Sequence, residues 1–205
     1  MGQVRSGLRL RLWHDEHHVS YLVELDAERP RPELPDGLRL VEGDASDLHQ
    51  LPAIPATGVI MGRGWLERGA RLFLVLDAED RAAFAGWVFH DEVSVSVAPR
   101  GWLALPDGVG CLDECYIAPH LRGRGIAPAA FSLIADRLAA EGDSMLLAVT
   151  GAEGRAPWRA LEKAGLGPVA DLYTRRHLNV AGMRVESAPG AGLAFEALWA
   201  DDLTT

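Results

Sequence analysis

The sequence predicts an α+β domain built on a mixed, mostly antiparallel sheet flanked by helices. Three observations carry this. Alternating apolar residues mark strands near both ends of the chain, one strand–helix–strand segment sits in the middle, and a glycine-arginine loop joins that segment's first strand to its helix. The loop is Arg122-Gly123-Arg124-Gly125-Ile126-Ala127. Leu112-Asp113-Glu114-Cys115-Tyr116-Ile117 before it reads as a strand. After it, Ala127, Phe131, Ile134 and Leu138 recur at helical spacing and form an amphipathic stripe.

The elements follow in order. Leu8, Leu10 and Leu12 alternate, then Val19, Tyr21, Val23 and Leu25. Residues 7–26 therefore read as a hairpin with His14-Asp15-Glu16-His17-His18 as its polar turn. On this reading residues 1–30 form an appendage to a domain spanning 31–205. A proline-rich connector, Glu28 to Gly37, leads to a first core strand at Leu38–Val41. Asp44 to Gly69 is ambiguous, with short helices around Ala45–Leu51 and Val59–Arg68. Gly62-Arg63-Gly64 starts no clean helix pattern and reads as a substrate-side loop or plain turn. Leu72–Leu76 and Ala83–His90 are strands joined by the polar turn Asp77-Ala78-Glu79-Asp80. Val93, Val95 and Val97 alternate with Ser94 and Ser96, an antiparallel strand with one wet face.

The strand ending at Ile117, a helix near 124–141 and the apolar run Met145–Val149 make a parallel crossover, right-handed by the general rule. Pro157 suits the first turn of a short helix ended by Gly165. Residues 168–178 return as a strand, and 183–199 read as a further strand or edge element.

The loop is placed to hold an anion. A helix start leaves backbone N–H groups without internal partners and carries the positive end of the helix dipole. Glycine lets that backbone approach phosphate oxygens, and arginine adds charge. A purely structural glycine turn is the alternative on local features. The nucleotide P-loop is excluded because no Gly-Lys-Ser/Thr follows, and the dinucleotide fold because three glycines at its spacing are missing.

Arg122-x-x-Gly125-x-Ala127, preceded by Tyr116-Ile117-Ala118-Pro119, resembles the acetyl-CoA signature of the GNAT N-acetyltransferase superfamily, Arg/Gln-x-x-Gly-x-Gly/Ala. Ala160-Leu161-Glu162-Lys163-Ala164-Gly165-Leu166 is similar to its second motif, usually Leu-Tyr-Glu-Lys-x-Gly-Phe. The resemblance is clear over roughly residues 70–178. It implies a GNAT-type sheet whose two parallel central strands, ending near Ile117 and Thr150, splay apart to admit the pantetheine arm of acetyl-CoA. Tyr116 and Ile117 would pair with that arm, and Arg122, Gly123, Arg124, Gly125, Ile126 and Ala127 would hold the pyrophosphate. Thr150 stands where many relatives use asparagine, and Lys163 would meet a phosphate. Trp158 reads as core packing or as a neighbour of the cofactor path.

Moving an acetyl group from a thioester to an amine requires a base for the amine, polarisation of the carbonyl and an outlet for the thiolate. Some family members place an acid at the position matching Asp113 with a second beside it. Asp113 is thus the candidate base, with Glu114 as the alternative; a pair of strand-end acids bridged to Arg122 or Arg124 is the structural reading. The family's usual proton-donating tyrosine corresponds to Leu161, so Tyr173 on the next strand is the candidate acid. Neither Cys111 nor Cys115 has a basic neighbour to activate it, so no acyl-enzyme is expected.

Composition bounds the partners. A net charge of −9 disfavours wholesale binding to nucleic acid or an anionic membrane, and tolerates a cationic amine. No apolar run approaches the ~20 residues that span a bilayer, and no secretory signal opens the chain, so the expected location is cytoplasmic. Cys111 and Cys115, four apart on one strand, would stand about 13 Å apart, beyond disulfide reach. The His14–His18 stretch lacks cysteine partners and a third histidine at suitable spacing, so no metal is expected. Val93–Val97 could pair across a homodimer, or be an edge protected by charge. The resemblance implies an N-acetyltransferase acting on acetyl-CoA and a small primary amine. A non-catalytic acyl-CoA-binding module and a transferase of longer acyl groups are the alternatives.

Overall fold

The computed structural model describes residues 13–51, 56–94, 102–153, 155–177 and 180–189. Ten strands and three α-helices are defined there: β1 (Trp13–Glu24), β2 (Arg39–Gly43), α1 (Ala56–Glu67), β3 (Arg71–Leu76), β4 (Ala82–Phe89), β5 (Glu92–Ser94) and β6 (Trp102–Ala104) come first. β7 (Val109–Ile117), α2 (Ile126–Glu141), β8 (Met145–Gly151), α3 (Arg155–Lys163), β9 (Gly167–His177) and β10 (Val180–Ser187) complete the chain. Eight strands form one sheet in the order β10-β9-β1-β8-β7-β4-β3-β2, and β5–β6 make a separate hairpin. Among the described residues, β7 and β8 are the one pair of neighbouring strands in the large sheet that run parallel, joined through the crossover helix α2; β8 and β9, joined through α3, also run the same way, with β1 inserted antiparallel between them. Among the described residues, no helix is long and apolar enough to cross a membrane.

The strands read from Leu38–Val41 through residues 168–178 stand close to where the pattern places them, as do the helices at 124–141 and after Pro157. Three readings differ. Asp47–Gln50 is a short 3₁₀ turn rather than an α-helix. Gly62-Arg63-Gly64 lies inside α1; a Cβ on Gly62 would come 3.0 Å from Trp87 and 3.1 Å from Leu48, so glycine there lets the helix seat closely on β4.

The third difference matters most. His14–His18 is no turn: Trp13–Glu24 is one strand, lying inside the main sheet rather than in an appendage. It pairs antiparallel with β8 on one side, His18 opposite Gly151, and with β9 on the other, Glu16 opposite Thr174. Asp15, Glu16, His17 and His18 face solvent or a cleft at the strand end, while Tyr21, Leu22 and Val23 are buried. Leu8–Leu12, Val95, Val97 and the reading beyond residue 189 lie outside the described residues.

Two apolar layers sandwich the sheet. α2 and α3 cover one face through Ile126, Phe131, Ile134, Leu138 and Leu161, packed on Tyr21, Val23, Phe84, Leu112 and Ala148. α1 and the β5–β6 hairpin cover the other, where Trp65 meets Trp87 and Phe89 edge-on at 5.2 and 5.6 Å.

Candidate active site

The parallel ladder between β7 and β8 is short. It runs from Val109 opposite Met145 to Leu112 opposite Ala148 and stops. Its end coincides with a fault in β7's other ladder. Against β4, Ala85 pairs with Tyr116 and Trp87 with Asp113, so Glu114 and Cys115 together oppose Gly86 alone. Two residues against one make a β-bulge, which bends and twists the strand. Glu114 takes a left-handed φ of 49°, unusual for a side-chain-bearing residue. Gly86 makes the bulge sterically feasible: a Cβ there would lie 2.8 Å from Phe84 and 3.1 Å from the Cys115 sulfur. The bulge turns β7 away from β8, and Asp113 sits at the fork.

Two clefts open from this fork on opposite faces of the sheet. The first, about 700 Å³, lies on the α2–α3 face. Tyr116, Ile117, Arg122, Gly123, Gly125, Ile126, Ala127 and Lys163 line it, so the predicted loop and the second motif do converge. Arg124 is exposed and is not among its lining residues. Arg155 and Arg159 line it too, although sequence reasoning passed over them. The signal was present: Arg155, Arg159 and Lys163 recur every four residues and share one face of α3. Among the described lining residues four are cationic and none is acidic, in a chain whose overall charge is −9.

The loop geometry suits an anion. Gly123 and Gly125 hold φ of 77° and 81°, and the space where their side chains would be is open. Gly125 begins α2 with no side chain capping it, so first-turn N–H groups remain for an external acceptor. Pro128 in that turn lacks an N–H that the helix would not have used. Beyond the loop, Phe84, Leu121, Pro128 and Phe131 give the cleft an apolar wall. The arrangement can hold an elongated molecule with an anionic end and a less polar arm reaching the fork.

The second cleft, about 500 Å³, lies towards α1 and the β5–β6 hairpin. Met61 and Trp65, one turn apart on α1, roof it together with Phe89, Val93 and Leu103. Asp113, Glu114, Ser94, Thr150, Glu16, His18 and Thr174 supply its polar groups. Thr150 thus lines this cleft and not the first. Cys115, Phe131 and Pro157 line both, which makes the fork a passage between them.

Asp113 is the titratable group at the fork whose protonation is most strongly shifted towards neutrality. Its Oδ1 accepts the Glu114 N–H at 2.7 Å, which fixes the carboxylate across the bulge. Burial pushes its pKa up to about 7; the Glu114 hydrogen bond pulls against this, and the nearby Glu114 charge adds to it. A carboxylate poised near neutrality can take a proton and release it. Enclosure in the fork and the charges of Asp113 and Glu114 push the Cys115 thiol well above its ordinary range, the opposite of what a nucleophile needs.

Leu161 is buried and lines the second cleft, so an apolar side chain occupies the place of the usual tyrosine. Tyr173 lies in neither cleft. Its ring stacks on His17 at 4.4 Å, and the Arg184 guanidinium lies 4.4 Å over it. Leu172 and Thr174 beside it line the second cleft, so strand alternation sends Tyr173 to the other face. That removes the geometric basis for Tyr173 as proton donor. Trp158 donates its indole N–H to the Gly151 carbonyl at 3.1 Å, tying α3 to the end of β8, and packs on the core. His17 and His18 face opposite sides, each against its own carboxylate: Asp171 at 2.6 Å and Glu16 at 2.9 Å.

No family model matches the sequence, and no curated protein does. Solved structures share its architecture. A GCN5-related N-acetyltransferase from Sphaerobacter thermophilus aligns with a TM-score of 0.57 at 17% identity, covering 89% of this chain and 56% of that one. An acetyltransferase from the GNAT family of Colwellia psychrerythraea gives 0.55 at 15% identity, over 86% and 62%. A GCN5-related N-acetyltransferase from Kribbella flavida gives 0.54 at 13%, over 95% and 66%. The chain therefore spans less than two thirds of each of these longer proteins, and at such identities the likeness is one of fold. The shared feature is the architecture: this chain has the fold of these GCN5-related N-acetyltransferases.

Proposed function

We propose that the protein is an N-acyltransferase that moves an acetyl group from acetyl-CoA to a primary amine by direct attack. The carrying observation is Asp113, a carboxylate with its pKa raised to about 7 at a fork where a cationic cleft meets an acidic one. The first cleft fits the cofactor: Arg122, Arg155, Arg159, Lys163 and the open backbone at Gly123 and Gly125 would hold phosphates. The exposed edge of Tyr116 and Ile117 would pair with the arm that carries the thioester.

In the reaction an amine nitrogen held in the second cleft adds to the thioester carbon. Asp113 accepts the proton that the nitrogen sheds, directly or through a water. The C–S bond breaks, the amide forms, and the thiolate takes a proton from solvent, since Leu161 cannot supply one. The raised Cys115 pKa argues against a covalent acyl-enzyme. The compartment that fits an acetyl-CoA-dependent reaction on free amines is the cytoplasm.

Leu161 favours one rival, a module that binds acyl-CoA without turning it over. Titration calorimetry with acetyl-CoA on the wild type and Gly125→Glu, followed by thiol release across an amine panel with wild type and Asp113→Asn, separates the two. Binding lost in Gly125→Glu, with thiol release lost in Asp113→Asn, supports the enzyme. Tight binding without turnover supports the module, and no binding by the wild type overturns both.

A further inference from the structure

The strand that the sequence reading set outside the domain brings a polar corner to the second cleft. Glu16 and His18 on β1 and Thr174 on β9 line it, across the fork from Asp113. Glu16 and Thr174 are direct cross-strand partners, and the His18 Nε2 lies 2.9 Å from a Glu16 carboxylate oxygen. Thr174 is 5% exposed, and its hydroxyl has no hydrogen-bond partner. A buried hydroxyl without a partner costs free energy that a ligand donor would recover.

The corner's chemistry selects its ligand. Among the described lining residues three are carboxylates, Glu16, Asp113 and Glu114, and none is lysine or arginine. A carboxylate and an unpaired hydroxyl side by side both accept hydrogen bonds, so they recognise a donor, and the charge balance favours a cationic one. Asp113 lies on β7 and Glu16 on β1, two positions apart in the sheet. Two strand spacings are about 10 Å, and Glu16 lies four residues along β1 from Ser20, which is level with Asp113, so the two backbones stand about 16 Å apart. Trp65, Phe89, Leu103 and Leu172 give the cleft apolar walls, with the Thr150 hydroxyl on the intervening β8.

We propose that Glu16, oriented by His18, and Thr174 form a second acceptor subsite, which holds the distal ammonium of a linear dibasic amine while its other nitrogen reacts at Asp113. This rests on the acyl-transfer reading for the reacting end; the subsite itself does not depend on turnover.

The test uses the full chain and acetyl-CoA with a homologous series of linear α,ω-diamines and the n-alkyl monoamines of matching length. The readout is the diamine-to-monoamine ratio of kcat/KM, with diamine binding measured separately by calorimetry. The subsite predicts a ratio of at least about tenfold in the wild type, growing until the nitrogens stand on the order of 15 Å apart. It also predicts that Glu16→Gln and Thr174→Val each collapse the ratio, whereas Asp113→Asn lowers turnover of both substrates. Glu16 is well exposed, so its variant separates recognition from folding even if the buried Thr174 tolerates change poorly. Turnover with no preference for diamines, or a preference unchanged by Glu16→Gln, overturns the subsite and leaves the acyltransferase standing. Diamine binding that depends on Glu16 without turnover keeps the subsite and overturns the enzyme.

Discussion

Replacing Asp113 with asparagine should stabilise the protein at alkaline pH while removing its activity. Asp113 has its pKa raised from an ordinary 3.8 to about 7, chiefly by burial. The folded state therefore holds the proton more tightly than the unfolded chain. The group's contribution is fully present below pH 3.8, is lost as pH climbs towards 7, and leaves a constant penalty above that. At 1.36 kcal/mol per unit, the whole interval corresponds to about 4 kcal/mol. The carboxylate is part-exposed along the cleft, and water there screens it, so we expect about 2 kcal/mol. Asparagine keeps an oxygen to accept the Glu114 N–H and carries no charge. Urea unfolding at about pH 4 and about pH 8.5 should show little difference between the proteins at the lower pH and a gain of roughly 2 kcal/mol for the variant at the higher. A gain equal at both pH values, or a less stable variant at the higher, would refute desolvation as the cause. In the same wild-type protein, turnover should rise with pH through about 7 and then level, as the base loses its proton.

Two further outcomes follow from the fork and the cationic cleft. Gly86→Ala sets a methyl 2.8 Å from Phe84 and 3.1 Å from the Cys115 sulfur, so it should cost roughly 1–3 kcal/mol in a thermal or urea melt and lower kcat by displacing the bulge; a neutral melt with full activity would show that the bulge yields freely. Arg159→Ala and Lys163→Ala should each weaken acetyl-CoA binding by about tenfold at low salt and less at high salt, because exposed charges are screened; a salt-independent loss measured by calorimetry would point to a packing effect.

What was legible in the sequence is what short-range patterning encodes. The loop from Arg122 to Ala127 declares a strand end and a helix start by local chemistry, and Asp113 is found by counting back along one strand. The interval of four that joins Arg155, Arg159 and Lys163 is equally local, yet those arginines carry no motif and look like an ordinary solvated helix face. The second cleft is different. Glu16, His18 and Thr174 meet only because β1 inserts between β8 and β9, a pairing of residues as far apart as His17 and Asp171, 154 positions along the chain. Alternation in Val19–Val23 announces a strand and is silent about its partners. Polar residues before it mimic a turn, since a strand end lining a wet cleft and a hairpin turn select the same side chains. Tyr173 illustrates the converse: its place on β9 was correct, and the alternation that turns it away from the cleft follows from a register that local sequence does not carry.

The insertion of β1 also has a consequence during synthesis. β1 leaves the ribosome well before β8 and β9, and both of its edges stay without partners until those strands exist. For that interval it is an open strand with apolar residues at Val19, Tyr21, Leu22 and Val23, the kind of segment that joins other chains. The run His14-Asp15-Glu16-His17-His18 directly before it is charged and strongly hydrated, a gatekeeper that discourages such pairing. Glu16 and His18, which line the finished cleft, thus also protect the nascent chain, so substitutions there bear on solubility in the cell as well as on recognition.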